Sequence, residues 1–422
     1  MKSNKSPWAW IPTLYVAEGL PYFAVMTISV MMYKRLGVSN TDIALYTGWL
    51  YLPWVIKPFW SPFVDIIRTK RWWILSMQWL IGIGLACVAL ALPLSDFFRL
   101  TLAAFWLVGF ASATHDIAAD GYYMLALSRH EQSLFVGIRS LFYRVASVIG
   151  QGGLVVLAGV LEERTGRIAL SWSVVIGIIS VFFIAVAVYH ALVLPRPVSD
   201  MPAGQSGNTR NIVSEFAAAF RTFFTKPGIL GALAFMLLYR MPEAQLIKLI
   251  QPFLIDSVSA GGLGLSTKEV GVIYGTIGVI GLTIGGILGG IAAARKGLKF
   301  WLLPMAVCMS LSCLTFVYLS YAEAPSLLSV NVCVFVEQFG YGFGFTAYML
   351  YLMYFSEGKY KTSHYAICTG IMALGMMLPG MAAGWIQEQL GYRHFFIYTM
   401  VCCIATISVC FIPKIDPEFG RK

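Results

Sequence analysis

From Trp8 onward the chain alternates between long apolar runs and short polar joints. The pattern predicts twelve helices, at about 8–33, 42–66, 72–93, 98–127, 132–161, 169–193, 229–256, 267–293, 299–321, 328–356, 363–388 and 393–413. Each is long enough to cross a hydrocarbon core of about 30 Å. In lipid a backbone must satisfy its own hydrogen bonds, which leaves helices or closed barrels. The short alternating strands of a barrel are not evident, so the fold class is an all-α membrane protein. The longest polar stretch, PRPVSDMPAGQSGNTRN (195–211), is rich in Pro, Gly and Ser and reads as a linker. The amphipathic VSEFAAAFRTFF follows it. The expected organisation is a six-helix half at 1–193, a cytoplasmic linker at 194–228 and a second six-helix half at 229–422.

Composition agrees with this reading. The chain is 58% hydrophobic and 12% charged, with a mean hydropathy of +0.74, where soluble domains carry about 25% charged residues. The net charge of +10 does not point to nucleic acid, because its location explains it. Eighteen Lys and Arg lie in the termini and the loops of one side, and seven in the loops of the other. The rule that basic loops stay inside makes the richer side cytoplasmic and puts both termini there. The apolar run near the N-terminus carries Glu18 and Pro21 and no clear cleavage site, so it reads as the first span and not as a removed signal. All eight cysteines fall in apolar segments without metal-ligand or paired spacing, so neither a metal site nor a cofactor is expected. No nucleotide loop, H-E-x-x-H or G-x-S-x-G occurs, which speaks against an ATP-driven machine and against an enzyme.

Ten charged residues lie well inside the spans: Glu18, Lys57, Asp116, Asp120, Arg139, Arg144, Arg240, Glu243, Lys248 and Glu337. Each would cost roughly 2.5–3.5 kcal/mol at the bilayer centre, so together they must face an interior or an aqueous cavity. Spans three, six, nine and twelve carry none, a period of three that predicts an outer wall around a polar centre. Spans four and five are antiparallel, and residues at equal depth have nearly constant summed numbers. That rule sets Asp116 level with Arg144 and Asp120 level with Arg139, with the aspartates sharing one helix face. Two accounts fit these charges. They either clamp helix register, or they bind polar groups and relay protons. The second half has methionines (Met349, Met353, Met372, Met377) where the first has these charges, which favours chemistry in the first half. Pro21 in EGLP and Pro242 in RMPE interrupt spans one and seven at matching places, as expected beside a substrate site at a repeat interface. Span eight carries a glycine row from Gly271 to Gly289 that suits either a sliding contact between halves or static packing.

Twelve spans, the charge period and the loop DIIRTKRWW after span two (Asp65, Arg68, Arg71) resemble the major facilitator architecture, in which such a loop is a gating element. Within it, the stretch around THDIAADGYY is similar to the AmpG-type muropeptide permeases. The resemblance rests on Asp116, Asp120, Gly121 and Tyr122, on Gly19-Leu20-Pro21, on Trp60-Ser61-Pro62 before Asp65, and on Arg144 in LFYRVAS. It covers the first half well and the second only in topology. It implies proton symport of anhydro-muropeptides or related cell-wall amino sugars by alternating access across a bacterial inner membrane. The alternative is a facilitator for another anionic solute, such as an oligosaccharide, an acyl-CoA-like compound or a drug. The expected substrate-binding residues are Lys57, Arg139, Tyr143, Arg144, Arg240 and Lys248; Trp49, Trp54, Phe142, Tyr239 and Tyr274 either stack on sugar faces or, the reading favoured for each alone, serve packing or an interfacial belt. The expected proton-coupling residues are Glu18, Asp116, Asp120, Glu243 and Glu337; His115 is either placed to tune Asp116 or an ordinary hydrogen-bonded histidine. The expected partners are a small solute, protons and the lipid bilayer, with no nucleic acid, and the chain is expected to act as a monomer.

Overall fold

A computed structural model of the chain describes residues 6–198, 200–201, 209–358 and 360–420. Among the described residues every regular element is helical. Seven helices are each long and apolar enough to cross a membrane, or eight if the bent pair Ser214–Phe224 and Ile229–Ile255 counts as one. Two of the seven are too long for one crossing. Thr267–Tyr321 has 55 residues and Ser363–Val409 has 47, about 80 and 70 Å of helix at 1.5 Å per residue. Each turns back on itself at a glycine, Gly297 (φ 79°, ψ 163°) and Gly391 (φ 71°, ψ 164°), in a backbone region that only glycine occupies at low cost. Each is therefore a pair of spans, eight with nine and eleven with twelve. Spans two (Asn40–Trp49 and Leu52–Ile67), seven (Ile229–Leu238 and Met241–Ile255) and ten (Leu327–Phe355) complete the twelve. These three carry Lys57, Arg240, Glu243, Lys248 and Glu337, and those charges dilute their apolar character.

The residues cluster into two compact units, Met1–Leu36 with Ile56–Phe216, and Gly37–Val55 with Ala217–Lys422. In the first unit, span three (Lys70–Ala91) packs between span four (Phe97–Ala126) and span six (Ile168–Val193), and span one (Pro7–Arg35) packs along span five. A buried polar ladder crosses this unit. The Gln78 amide nitrogen donates to His115 Nε2 (3.0 Å) and to His190 Nδ1 (2.8 Å), and His190 Nε2 meets Thr13 Oγ1 at 2.8 Å. The ladder ties spans one, three, four and six together. His115 is fully buried, and its Nε2 is turned to span three, which favours the reading of a hydrogen-bonded core histidine.

In the second unit the glycine row of span eight lies against span ten. A Cβ at Gly285 would run into the Phe339 carbonyl oxygen, and one at Gly281 would sit 2.7 Å from that of Phe335. The row therefore permits close backbone packing inside one unit. Of the two readings offered for it, static packing is the one observed. Large exposed apolar side chains lie along spans three, six, nine and twelve, among them Leu90, Leu192, Tyr318 and Ile404. Spans two and eight also present Phe59, Phe63, Ile284 and Ile287, so the apolar wall is wider than every third helix.

Candidate functional site

Local sequence positions the first-unit cluster. Asp116 and Asp120 lie four residues apart on span four and so share a face. Span one passes close to span five because residue 19 has no side chain: a Cβ there would come within 2.9 Å of the Ala146 Cβ and 3.2 Å of the Tyr143 ring. This approach brings Tyr15 and Glu18 against the Arg139 face of span five. Pro21 follows, and span one then widens into a π-type turn at Ala24–Ile28. Such turns recur at functional sites. Span five has another at Val148–Leu154, and span eight a third at Ile273–Gly278.

The centre of the cluster is an ion pair. Arg139 Nη2 donates to Asp120 Oδ1 at 2.5 Å, and the two side chains are 27% and 46% exposed. The guanidinium lies over the Tyr15 ring at 4.5 Å and near that of Tyr123 at 5.3 Å. These contacts hold a planar cation in place while leaving part of it reachable. Asp116, expected level with Arg144, has the Lys57 ammonium at 3.9 Å. Arg144 itself is exposed, and Tyr143 packs its ring beside Phe23. Glu18 lies within electrostatic reach of Asp116, Asp120, Lys57 and Arg139, and its Oε2 is buried with no hydrogen-bond partner among the described residues.

The second unit treats the same residue types differently. Span seven breaks at Tyr239–Arg240, just before Pro242. Arg240 reaches one turn forward to Glu243 with two bonds, Nε to Oε2 at 2.8 Å and Nη2 to Oε1 at 2.7 Å. Those side chains are only 8% and 6% exposed. Phe345, Tyr341 and Tyr348 surround the guanidinium at 4.7, 5.4 and 5.9 Å. Lys248 is buried, donates to Thr47 Oγ1 at 2.9 Å and lies over the Tyr51 ring at 5.2 Å. Glu337 is buried and accepts a bond from Gln338 at 2.8 Å. The four charges expected to serve solute or proton in this half are thus engaged with protein groups. Tyr239, offered as a stacking surface, is core: it is fully buried and donates to the Gly344 carbonyl at 3.0 Å.

The loop after span two is also built. Arg71 Nη2 and Nε donate to the Ala191 and Leu194 carbonyls, at 2.5 and 3.3 Å, closing the end of span six. The Arg68 guanidinium lies 5.9 Å from the Trp72 ring. The side chain of Asp65 lies outside the described residues. Sequence reading missed Asp200. Its two oxygens accept the Lys70 and Arg71 backbone N–H groups at 2.7 and 3.0 Å and so cap span three from the linker. A separation of 130 residues leaves no local signal. Gln78 and His190 were missed because their spans carry no charge.

Each of the two units is a helical bundle with charged side chains within its spans and large apolar side chains exposed on its surface. The Major Facilitator Superfamily model matches residues 13–360. The chain belongs to that superfamily. Its members include relatives named "Putative transporter AmpG 4" in Rickettsia conorii, 24% identical with 94% of each chain covered, and "Anhydromuropeptide permease" in Escherichia coli K12, 24% identical with 96% of this chain and 79% of that one covered. These support an AmpG-type permease and carry no enzyme name. Among solved structures, a D-xylose–proton symporter matches with a TM-score of 0.72 at 13% identity, covering 98% of each chain. The nucleoside transporter NupG matches at 0.68 and 17%, covering 96% of this chain and 99% of that one. At such identities they show the shared fold. The protein is a multi-pass membrane secondary transporter for a small solute.

Proposed function

We propose that this chain imports anhydro-muropeptides or related cell-wall amino sugars across a bacterial inner membrane by proton symport. The halves 1–193 and 229–422, joined by the linker 194–228, alternate access within a monomer whose termini are both cytoplasmic. The observation that carries the reading is the half-exposed Arg139–Asp120 pair. A cargo carboxylate can replace Asp120 at the guanidinium, because the Arg139 side chain is 27% exposed. Lys57 and Arg144 supply further positive charge nearby, and Tyr143 offers a ring to a sugar face. Asp116 and Asp120 are the acids that exchange partners. Arg240, Glu243, Lys248 and Glu337 serve the shape of the second half, and Asp65, Arg68 and Arg71 the loop that changes between states.

The names of the relatives support the cargo, and the charges support an anionic one. The test is uptake of labelled anhydro-muropeptide into proteoliposomes. An inward proton gradient should drive accumulation and a protonophore should abolish it. Uptake unaffected by the protonophore removes symport. A thermal-shift panel in which only a nucleotide-like or non-sugar anion stabilises the protein replaces the cargo.

A further inference from the structure

Resting on that reading, we propose that Glu18 carries the transported proton, while Asp120 and Arg139 exchange partners with the anionic cargo. Three observations lead there. The first is charge balance. The groups facing Glu18 are Asp116 and Asp120 on span four, Lys57 on span two, Arg139 on span five and Tyr15 on its own helix. Among these groups Glu18 meets two other carboxylates and two cations. The second is hydrogen bonding. Asp120 accepts from Arg139 and Asp116 has the Lys57 ammonium at 3.9 Å, whereas Glu18 has no ion pair and, at its buried Oε2, no donor among the described residues. A buried carboxylate oxygen with no donor is costly, and a proton removes that cost. The third is position. Gly19 holds Glu18 against span five, on the regular helix Ile11–Phe23 just ahead of the π-type turn at Ala24–Ile28.

The step balances simply. A proton from water on the non-cytoplasmic side binds a Glu18 carboxylate oxygen and neutralises the carboxylate. The cargo carboxylate then takes the Arg139 Nη2 donor from Asp120. On the cytoplasmic side the cargo leaves, Asp120 returns to Arg139, and the Glu18 proton passes to water.

The Glu18→Gln variant separates this role from a structural one, because glutamine keeps the shape of a protonated glutamate. In proteoliposomes we expect gradient-driven accumulation to fall to the equilibrium level, a loss of at least about tenfold, while exchange of labelled for unlabelled solute at equal pH persists. Asp120→Asn is expected to impair both modes. Undiminished accumulation by Glu18→Gln overturns the assignment. A second arm needs no solute: infrared spectra of purified wild type at neutral pH should contain a carboxylic-acid carbonyl band that the Glu18→Gln spectrum lacks. Identical spectra also overturn the assignment. If wild type takes up no muropeptide, the cargo reading fails and the infrared arm still decides Glu18.

Discussion

Two arginine–carboxylate pairs of similar length sit in the two halves of this transporter. Arg139 meets Asp120 across two helices at 2.5 Å, and both side chains stay partly exposed. Arg240 meets Glu243 within one helix at 2.7 Å, bidentate, with aromatic rings on several sides and almost no exposure. The chemistry of the partners is the same and the surroundings are opposite. A pair that water reaches can be opened by a competing anion, because each charge has somewhere to go. A sealed pair cannot be opened without leaving a bare ion in a low-dielectric interior. The comparison separates a site from a strut without reference to which residues look polar in sequence.

The comparison is most open to attack through the sealed pair. Glu243→Ala should leave Arg240 buried and unpaired, at a cost of about 3–5 kcal/mol. The check is a thermal unfolding series in detergent, where the variant should yield little folded protein and the double change Arg240→Met with Glu243→Leu should recover it. A stable Glu243→Ala protein would put water inside that pocket. For the reachable pair the consequence should fall on transport. Arg139→Ala should lower initial uptake about a hundredfold, which corresponds to roughly 2.7 kcal/mol, with a small change in melting temperature. Equal losses of uptake and stability would make this pair a strut as well.

Smaller effects sharpen the picture. Gln78→Leu removes the shared partner of His115 and His190 and should cost about 1–3 kcal/mol, read as a lower melting temperature with the cargo affinity of the folded fraction intact. Lys57→Ala tests the weakest contact. At 3.9 Å and partly exposed, the pair should contribute no more than about 1 kcal/mol to stability, so the melting temperature should hardly move while uptake of an anionic cargo declines severalfold. A stability loss as large as that of Gln78→Leu would place Lys57 in the framework.

Much of the fold was legible because lipid leaves a chain few choices. Twelve long apolar runs had to be helices, and the ten charges within them had to turn away from the acyl chains. The Asp120–Arg139 pair was legible too, since antiparallel neighbours at one depth have a fixed numerical sum. The difference between the two pairs was not. Arg240 and Glu243 read in sequence as Arg139 and Asp120 do, as charges inside apolar helices. Only the placement of Tyr341, Phe345 and Tyr348, about a hundred residues away along the chain, seals one of them. The same limit hid Asp200 at the start of span three and the partner of the span-eight glycines. Sequence left two readings of His115 open; a helix turns neighbouring residues about 100° apart, and His115 Nε2 faces Gln78.

The claim that the first-half pair is open to water and the second-half pair is not can be read directly by thiol labelling. In a background with the eight native cysteines replaced, Asp120→Cys and the double change Arg240→Met with Glu243→Cys, which leaves no buried charge unpaired, would each be exposed to a membrane-impermeant thiol reagent in inside-out and right-side-out vesicles. The account predicts modification of the thiol at position 120, slowed by added anhydro-muropeptide, and none at position 243 in folded protein. Equal reactivity at the two positions, or reactivity at 243 alone, would contradict it.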